Sequence, residues 1–515
     1  MTEVVDNAIG RRVPRTLRGR KTRPYAGLFA TEPTGMKATT RIASNRPGDD
    51  KVAASISEAI DRVELSDGMA VSFHHHLRNG DFVVNMVMDE IARKGLKGMR
   101  LLPSALFPVH APLIEHVRSG VIDMIDGSMN GPLGEAASRG LFAEPTILRS
   151  HGGRTRAIEA GEAHIDVAFI AASEADVLGN ANGVNGPSAF GPMAFPWIDA
   201  QYADRVVVIT DRLVPYPCTP ISVPSTHVDC VVEVPQIGDP AGIVSGTTTI
   251  TRSPSRLLIA RYAVRTLVEI GLITDGFSFQ AGAGGISLAV MKYLGDYMHA
   301  KGIVGGFVMG GITKYVVDML DRGTIRAILD GQAFDLHAVK SLRTNPNHIE
   351  VSHYMYGNPH NKGSITHQEH AAFLGATEVD LDFNVNVNTH SDGVLLHGIG
   401  GHQEVAAGAD VTMIVVPLIR GRIPVIVKEV VTVTSPGESI DIVVTERGIA
   451  VNPRREDLLE RLKGSDLPLM DIAELRRMAL SMGAGLDPPR FTDEPVSVIE
   501  YRDGTLLDTV WRVRE

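Results

Sequence analysis

Cysteine is nearly missing from this chain: Cys218 and Cys230 are the two in 515 residues. Neither stands in a metal-binding or redox spacing, so a reducing compartment, the cytoplasm, is the default. Long apolar runs are missing as well. The segment Val411–Ile419 is broken by Pro417 and stopped by Arg420, too short to span a membrane. Positive charge is not in surplus; a net charge of −10 argues against nucleic acid as the main ligand, because phosphate binding wants a basic face. No HExxH pair, no GxxxxGK[ST] loop and no GxSxG elbow occurs, which removes the helical zinc site, the P-loop and the serine-hydrolase elbow. What remains is ordinary for a globular protein. Hydrophobic residues make up 44% and charged residues 21%, and the length suffices for two to four domains with substantial cores.

The chain is organised around Asp275–Gly311. An Asp-Gly turn precedes an apolar run, Phe277–Phe279, that suits a buried strand. The loop Gln280–Gly285 follows, and then Leu288, Ala289, Met291, Tyr293 and Leu294 recur at helical spacing, with Gly302 just past the end. A strand feeding a glycine loop and a helix N-terminus presents unpaired amides to an anion. The same succession of turn, strand, loop and helix is written earlier, in Asp67–Gly95. Upstream of each copy lies one amphipathic helix, Val52–Val63 and Ser255–Ile270, the second with Ser253 and Pro254 as N-cap and first helical residue. A period of about 200 residues is too long for a solenoid unit. The reading is therefore two related open α/β domains from an internal duplication, residues 51–240 and 241–515, behind a basic N-terminal arm, residues 1–50. The arm is expected to be extended on a partner subunit or disordered.

Candidate ligand contacts fall in loops. His74, His75 and His76 follow the first strand, with Arg78 and Asn79 beyond them. Adjacent residues on an extended backbone alternate faces, so the three histidines do not suit one metal ion, and no metal is expected. The loop fits a carboxylate-rich substrate, with Arg78 as fork donor, or else plain packing at a domain interface. Asn384, Asn386 and Asn388 alternate on one strand face, which calls for a ligand or loop backbone over them. A second glycine loop, Gly398–Gly401, opens a helix at His402. Neither loop fits a dinucleotide: Ser287 fills the third glycine place, and Phe307–Gly311 carries no acid.

Long words of the sequence carry a resemblance. QAGAGG with ISLAVMKYL, GIGGHQE, NVNVN and VTERGIAVNP resemble the two-domain coenzyme A transferase superfamily. With SFHHHLRNGDFVVNMVMD, GNANG and PLIRGRIP they resemble, within it, the citrate lyase alpha-subunit family, over roughly residues 50–515. That resemblance implies exchange of acetate for citrate on the thioester of a carrier protein, with no permanently bound cofactor. The thioester arm is of the phosphopantetheine type derived from coenzyme A. The partners implied are a beta subunit that cleaves citryl-carrier, a gamma carrier subunit and an oligomeric assembly. Close alternatives are a malonate or citramalate carrier transferase, or an inactive scaffold.

Many coenzyme A transferases use a glutamate nucleophile; the corresponding place here is Gly310, or at least the acid-free run Phe307–Thr313. The resemblance therefore implies a ternary complex without a covalent enzyme step. Chemistry agrees, since a carboxylate ionised at neutral pH needs no general base. The enzyme must supply proximity and oxyanion stabilisation. The expected donors are the amides of Gly282, Gly284, Gly285, Gly398, Gly400 and Gly401. Gln280, Gly310, Gly311 and His402 are expected along the pantetheine channel; His74, His75, His76, Arg78, Asn79, Asn384 and Asn386 are expected at the substrate. Glu404 and Glu446 remain as nucleophiles if a covalent route exists, and otherwise serve a helix start and a turn.

Overall fold

The computed structural model describes residues 3–31, 35, 48–244, 249–282, 284–484 and 489–514. Two mainly parallel sheets form its frame. The first runs Val52–Ala53 (β1), Cys230–Glu233 (β7), Arg205–Thr210 (β6), Val167–Ala172 (β5), Ala70–Ser72 (β2), Met99–Leu101 (β3) and Ile122–Ile125 (β4). The second runs Ile449–Val451 (β15), Ile442–Val444 (β14), Val411–Val415 (β13), Ala371–Leu374 (β12), Phe279–Ala281 (β8), Gly305–Ile312 (β9), Ile325–Ala333 (β10) and His348–Glu350 (β11). Strands β2 to β7 thus recur as β8, β9, β10, β12, β13 and β14 in the same lateral order. Val206–Ile209 are all buried, as expected of parallel strands covered on both faces. β14 and β15 pair antiparallel at one edge.

The duplication extends to a local polar motif. Asp176 accepts from the Asn180 amide at 2.7 Å, and Asn180 Oδ1 accepts from the Ser225 amide at 2.8 Å. Asp380, Asn384 and Gly437 repeat this at 3.1 and 2.9 Å. Asn182 donates to Glu174 at 3.2 Å, and Asn386 to Glu378 at 3.0 Å. The alternating asparagines are therefore covered by their own chain. Val385–Asn386 forms only a short antiparallel pair with Glu378–Val379.

Element boundaries move by small amounts. The first strand of the second half is Phe279–Ala281, so Gln280 belongs to the strand. Val52–Ala53 is an edge strand, and the helix Ile56–Arg62 (α1) starts behind the Ser55 cap. Pro254–Glu269 (α3) begins where Ser253-Pro254 indicated, yet the Ser253 hydroxyl meets Ser255 instead of capping. Gly285–Lys301 (α4) ends at Gly302 in the left-handed region, φ 68°.

Residues 3–31 differ from the expected extended or disordered arm. They form two short hairpins against the strand pair Phe491–Glu500 (β16) and Leu506–Val513 (β17) of the same chain. Val13 and Tyr25 are buried, and the Tyr25 ring meets Tyr501 edge-on at 4.9 Å. The arm's charge is answered locally: Arg11 pairs with Asp508 at 2.8 Å and Arg18 with Asp126 at 2.7 Å. β16 also takes Thr146–Leu148 of the first half as a parallel neighbour, which ties the chain's end to its beginning.

Candidate active site

Strands β8, β9, β12 and β13 end at one cleft of about 740 Å³, and the first half closes its other wall. Ligands of open parallel sheets bind outside the carboxyl ends of the strands, and this cleft lies there. The second half contributes Gln280, Gly282, Gly284, Gly285, Gly310, Gly311 and the loop Gly398–His402; the first contributes His75, Arg78, Phe107, Ser128 and His151. Sequence reasoning thus brought together both glycine loops, His75 and Arg78. Ala283 lies outside the described residues.

Other expected contacts point elsewhere. The alternation argued for the histidines holds: His75 faces the cleft, whereas the His74 ring lies 3.8 Å from Asp199 and His76 stacks on Phe190 at 4.7 Å. Asn79 is exposed, its Oδ1 accepting from the Val109 amide at 3.0 Å. Asn384 and Asn386 hold the turn motif described above. The Gly282 amide donates to the Phe373 carbonyl at 2.8 Å, because the backbone there still continues the ladder with β12. Among the described residues, the amides of Gly284, Gly285, Gly398, Gly400 and Gly401 have no such partner. His402 is held by Ser435 at 2.7 Å and the Gly375 carbonyl at 3.3 Å.

Residues outside the expected set complete the cleft. Ser150 caps His151–Glu159 (α2), and Ser352 caps His353–Gly357 (α5), so His151 and His353 each stand first in a helix. The two rings lie 4.6 Å apart, with Phe195 packed at 4.9 Å from His151 and 3.9 Å from His353. The signal was the repeated word Ser-His at Ser150-His151 and Ser352-His353, each beginning the helix before an equivalent strand, β5 or β12. Tyr356 takes the Gln280 amide at 3.0 Å, and a Cβ on Gly401 would come within 2.0 Å of the Tyr356 oxygen. Only glycine admits that approach.

Electrostatics set the character of the cleft. Its lining holds Arg78, Arg256 and Arg420, and among the described residues no aspartate or glutamate. Arg78 packs over Phe107 and Phe334, its guanidinium carbon 4.9 and 5.3 Å from the ring centres, and burial lowers its pKa to about 10. Burial drives His75 and His353 well below the usual imidazole range, and His151 to about 3. These rings are therefore neutral donors and acceptors at neutral pH. The Ser104 hydroxyl lies 2.7 Å from His75 Nδ1, while the His353 ring nitrogens find no well-formed hydrogen bond among the described residues.

The glutamates in question lie outside the cleft lining. Glu404 is fully buried behind it, and Glu446 accepts from the Leu418 amide at 3.0 Å. Gly310, the place that the resemblance gives to a nucleophile in other coenzyme A transferases, has φ 105°, a conformation that a residue with a side chain rarely adopts.

The family model described as citrate lyase, alpha subunit (CitF) matches residues 49–513. The chain belongs to the citrate lyase alpha-subunit family. Among its relatives, the citrate lyase alpha chain of Escherichia coli is 47% identical over 468 residues, covering 91% of this chain and 92% of that one. The alpha chain of Klebsiella pneumoniae is 44% identical over 492 residues, covering 95% and 96%. A solved structure described as the citrate lyase alpha subunit of Streptococcus mutans in complex with citrate is 45% identical, with a TM-score of 0.95 over 99% of this chain and 100% of that one. A Pseudomonas malonate decarboxylase structure shares the fold at 17% identity, with a TM-score of 0.63 over 84% of this chain and 87% of that one. The citrate lyase alpha-subunit assignment agrees with the α/β duplication seen in the strand order. No described helix is long and apolar enough to cross a membrane.

Proposed function

We propose that this chain exchanges acetate for citrate on the thioester of a carrier subunit, without acylating itself. One citrate carboxylate attacks the acetyl thioester carbonyl and expels the carrier thiolate, leaving a mixed anhydride. The thiolate then attacks the citryl carbonyl and acetate departs. One thioester is made for each one broken, and no proton is consumed overall. The observation that carries this reading is a cleft lined by guanidiniums and neutral imidazoles but by no described carboxylate.

In this reading Arg78, His75, His151 and His353 hold the citrate carboxylates, and Gln280, Gly310 and Gly311 border the pantetheine-type arm. The amides of Gly284, Gly285, Gly398, Gly400 and Gly401 face the acyl oxygen. An oxyanion donor of this kind is worth roughly 3 kcal/mol of barrier. A carboxylate in the cleft favours the charged form of the imidazoles, returning what burial took from them. The natural setting is an oligomeric complex with a citryl-carrier lyase subunit and an acyl-carrier subunit, and the exchange belongs in the cytoplasm.

The test is to mix the pure chain with acetyl-carrier and citrate and to weigh the carrier. A shift to the citryl form, with no glutamate of the chain reduced to the alcohol by borohydride, is the expected result. Exchange with malonate or citramalate but not citrate would move the assignment to those acids. A glutamate reduced in this way would overturn the route without an enzyme-bound intermediate.

A further inference from the structure

Glu404 is buried behind the cleft wall, on the helix His402–Gly408 that follows the second glycine loop. It reaches from the second half of the chain to the start of α2 in the first. Its Oε1 accepts from the Ser150 hydroxyl and, at 3.2 Å, from the Gly153 amide, doubling the N-terminal cap of the helix that begins with His151. The same side chain is wedged against α5, the helix that begins with His353. A Cβ on Gly357 would lie 2.4 Å from Glu404 Cγ, and one on Gly152 would lie 2.3 Å from the Gly357 carbonyl oxygen. The other carboxyl oxygen, Oε2, is buried with no hydrogen-bond partner among the described residues. A half-satisfied carboxyl group is a costly way to fill space, and an apolar side chain would fill it more cheaply. What the carboxyl group supplies is position.

The geometry points to Glu404 as a positioning residue for the transfer: it locks the first turns of α2 and α5 together and so fixes His151 and His353 against the loop Gly398–Gly401. That loop is joined to the same point, since the His151 amide donates to the Gly400 carbonyl at 2.9 Å. Glu404, Ser150, His151 and Gly400 thus form one chain of contacts from the carboxylate cradle to the acyl loop. The assignment rests on the transferase reading above and names a residue that acts through others, since Glu404 does not line the cleft.

The experiment compares wild type, Glu404→Ala, Glu404→Gln and Ser150→Ala in the full chain. Citrate binding is read by calorimetry and exchange by KM for citrate and for acetyl-carrier separately. Displacement of the imidazoles by about an ångström is expected to cost Glu404→Ala roughly 10²-fold in kcat/KM for citrate, chiefly through KM, with KM for acetyl-carrier unchanged. Glu404→Gln keeps the accepting oxygen and the volume, and is expected to restore most of the loss. Ser150→Ala should weaken citrate binding in the same direction, and its effect should not add to that of Glu404→Ala. Equal loss towards both substrates, unaltered citrate binding in the folded variants, or a Gln variant as impaired as the Ala variant would overturn the proposal. If Glu404→Ala does not fold, Glu404→Gln and Ser150→Ala decide it by the same readings. A wild type that binds citrate but exchanges nothing would remove the transferase reading instead, while calorimetry on the variants would still judge the positioning role.

Discussion

His151 and His353 face one another 4.6 Å apart, each the first residue of a serine-capped helix and each from a different half of the duplication. A gene-doubled scaffold has brought two copies of one short word into a single wall. Because burial keeps both rings neutral, their closeness carries no charge repulsion until an anion arrives.

Citrate binding is therefore expected to take up protons. Burial holds His151 down at about 3 and His75 and His353 well below the usual range. A bound polyanion raises these values, so affinity should strengthen as pH falls from 8 toward about 6, until citrate itself protonates. Calorimetry in two buffers of different ionisation heat measures the proton count; zero uptake would contradict the imidazole cradle.

Stability should move the opposite way. His74 and His402 are lowered to about 4 and His151 to about 3 by burial, so the unfolded chain binds more protons below its imidazole pKa of about 6.5. Folding free energy is then fully present above that pH and is lost as pH falls toward 4, with a slope of up to about 1.4 kcal/mol per pH unit for each such group. Thermal melting between pH 8 and pH 5 checks the sign.

Arg78→Lys should separate binding from folding. The guanidinium lies between Phe107 and Phe334 with no carboxylate paired to it among the described residues, and the residue is held at φ 54°. Lysine loses the planar fork and the ring contacts. KM for citrate is expected to rise by roughly tenfold or more, with Tm little changed because the positive charge is kept.

Gly400 sits at φ 65°, and among the described residues a Cβ there would meet only His151 Nε2, at 3.9 Å. A leucine at this position costs about 1–2 kcal/mol of backbone strain and projects into the cleft. Gly400→Leu is expected to melt a few degrees lower yet remain folded, with exchange abolished. Gly400→Asn, which tolerates the left-handed region, should melt nearer to wild type. Unchanged exchange in the leucine variant would take this loop out of the site.

Arg11→Ala tests the N-terminal segment. Arg11 pairs with the buried Asp508 and donates to the Val431 carbonyl at 2.7 Å. Its loss leaves Asp508 without its cation and should cost about 3 kcal/mol of stability, read as a lower Tm, with exchange per folded molecule unaltered.

The duplication, the two glycine loops, and His75 and Arg78 were legible in the sequence because turn chemistry and periodicity act between near neighbours. Alternation along an extended backbone sets adjacent histidines on opposite faces. Yet His74, His75 and His76 were all expected at the substrate, and only the fold shows that His75 alone of the three lines the cleft. Asn384 and Asn386 misled for a reason of the same scale: a polar face announces that something covers it, but not whether the cover is a ligand or Glu378, Asp380 and a loop of the same chain.

What the linear order could not hold was convergence. His151, His353 and Glu404 meet only because two sheets of equal strand order pack with their helix starts opposed. Hydrophobic patterning fixes which face of an element is buried, whereas which distant face it meets is decided by packing of the whole. The sequence by itself determined the family, the paired α/β frame and an acid-free run at Phe307–Thr313. Tertiary structure alone decided which imidazoles share the cleft, that burial makes them neutral, and that residues 3–31 lie on their own chain, because each depends on contacts between residues hundreds of positions apart.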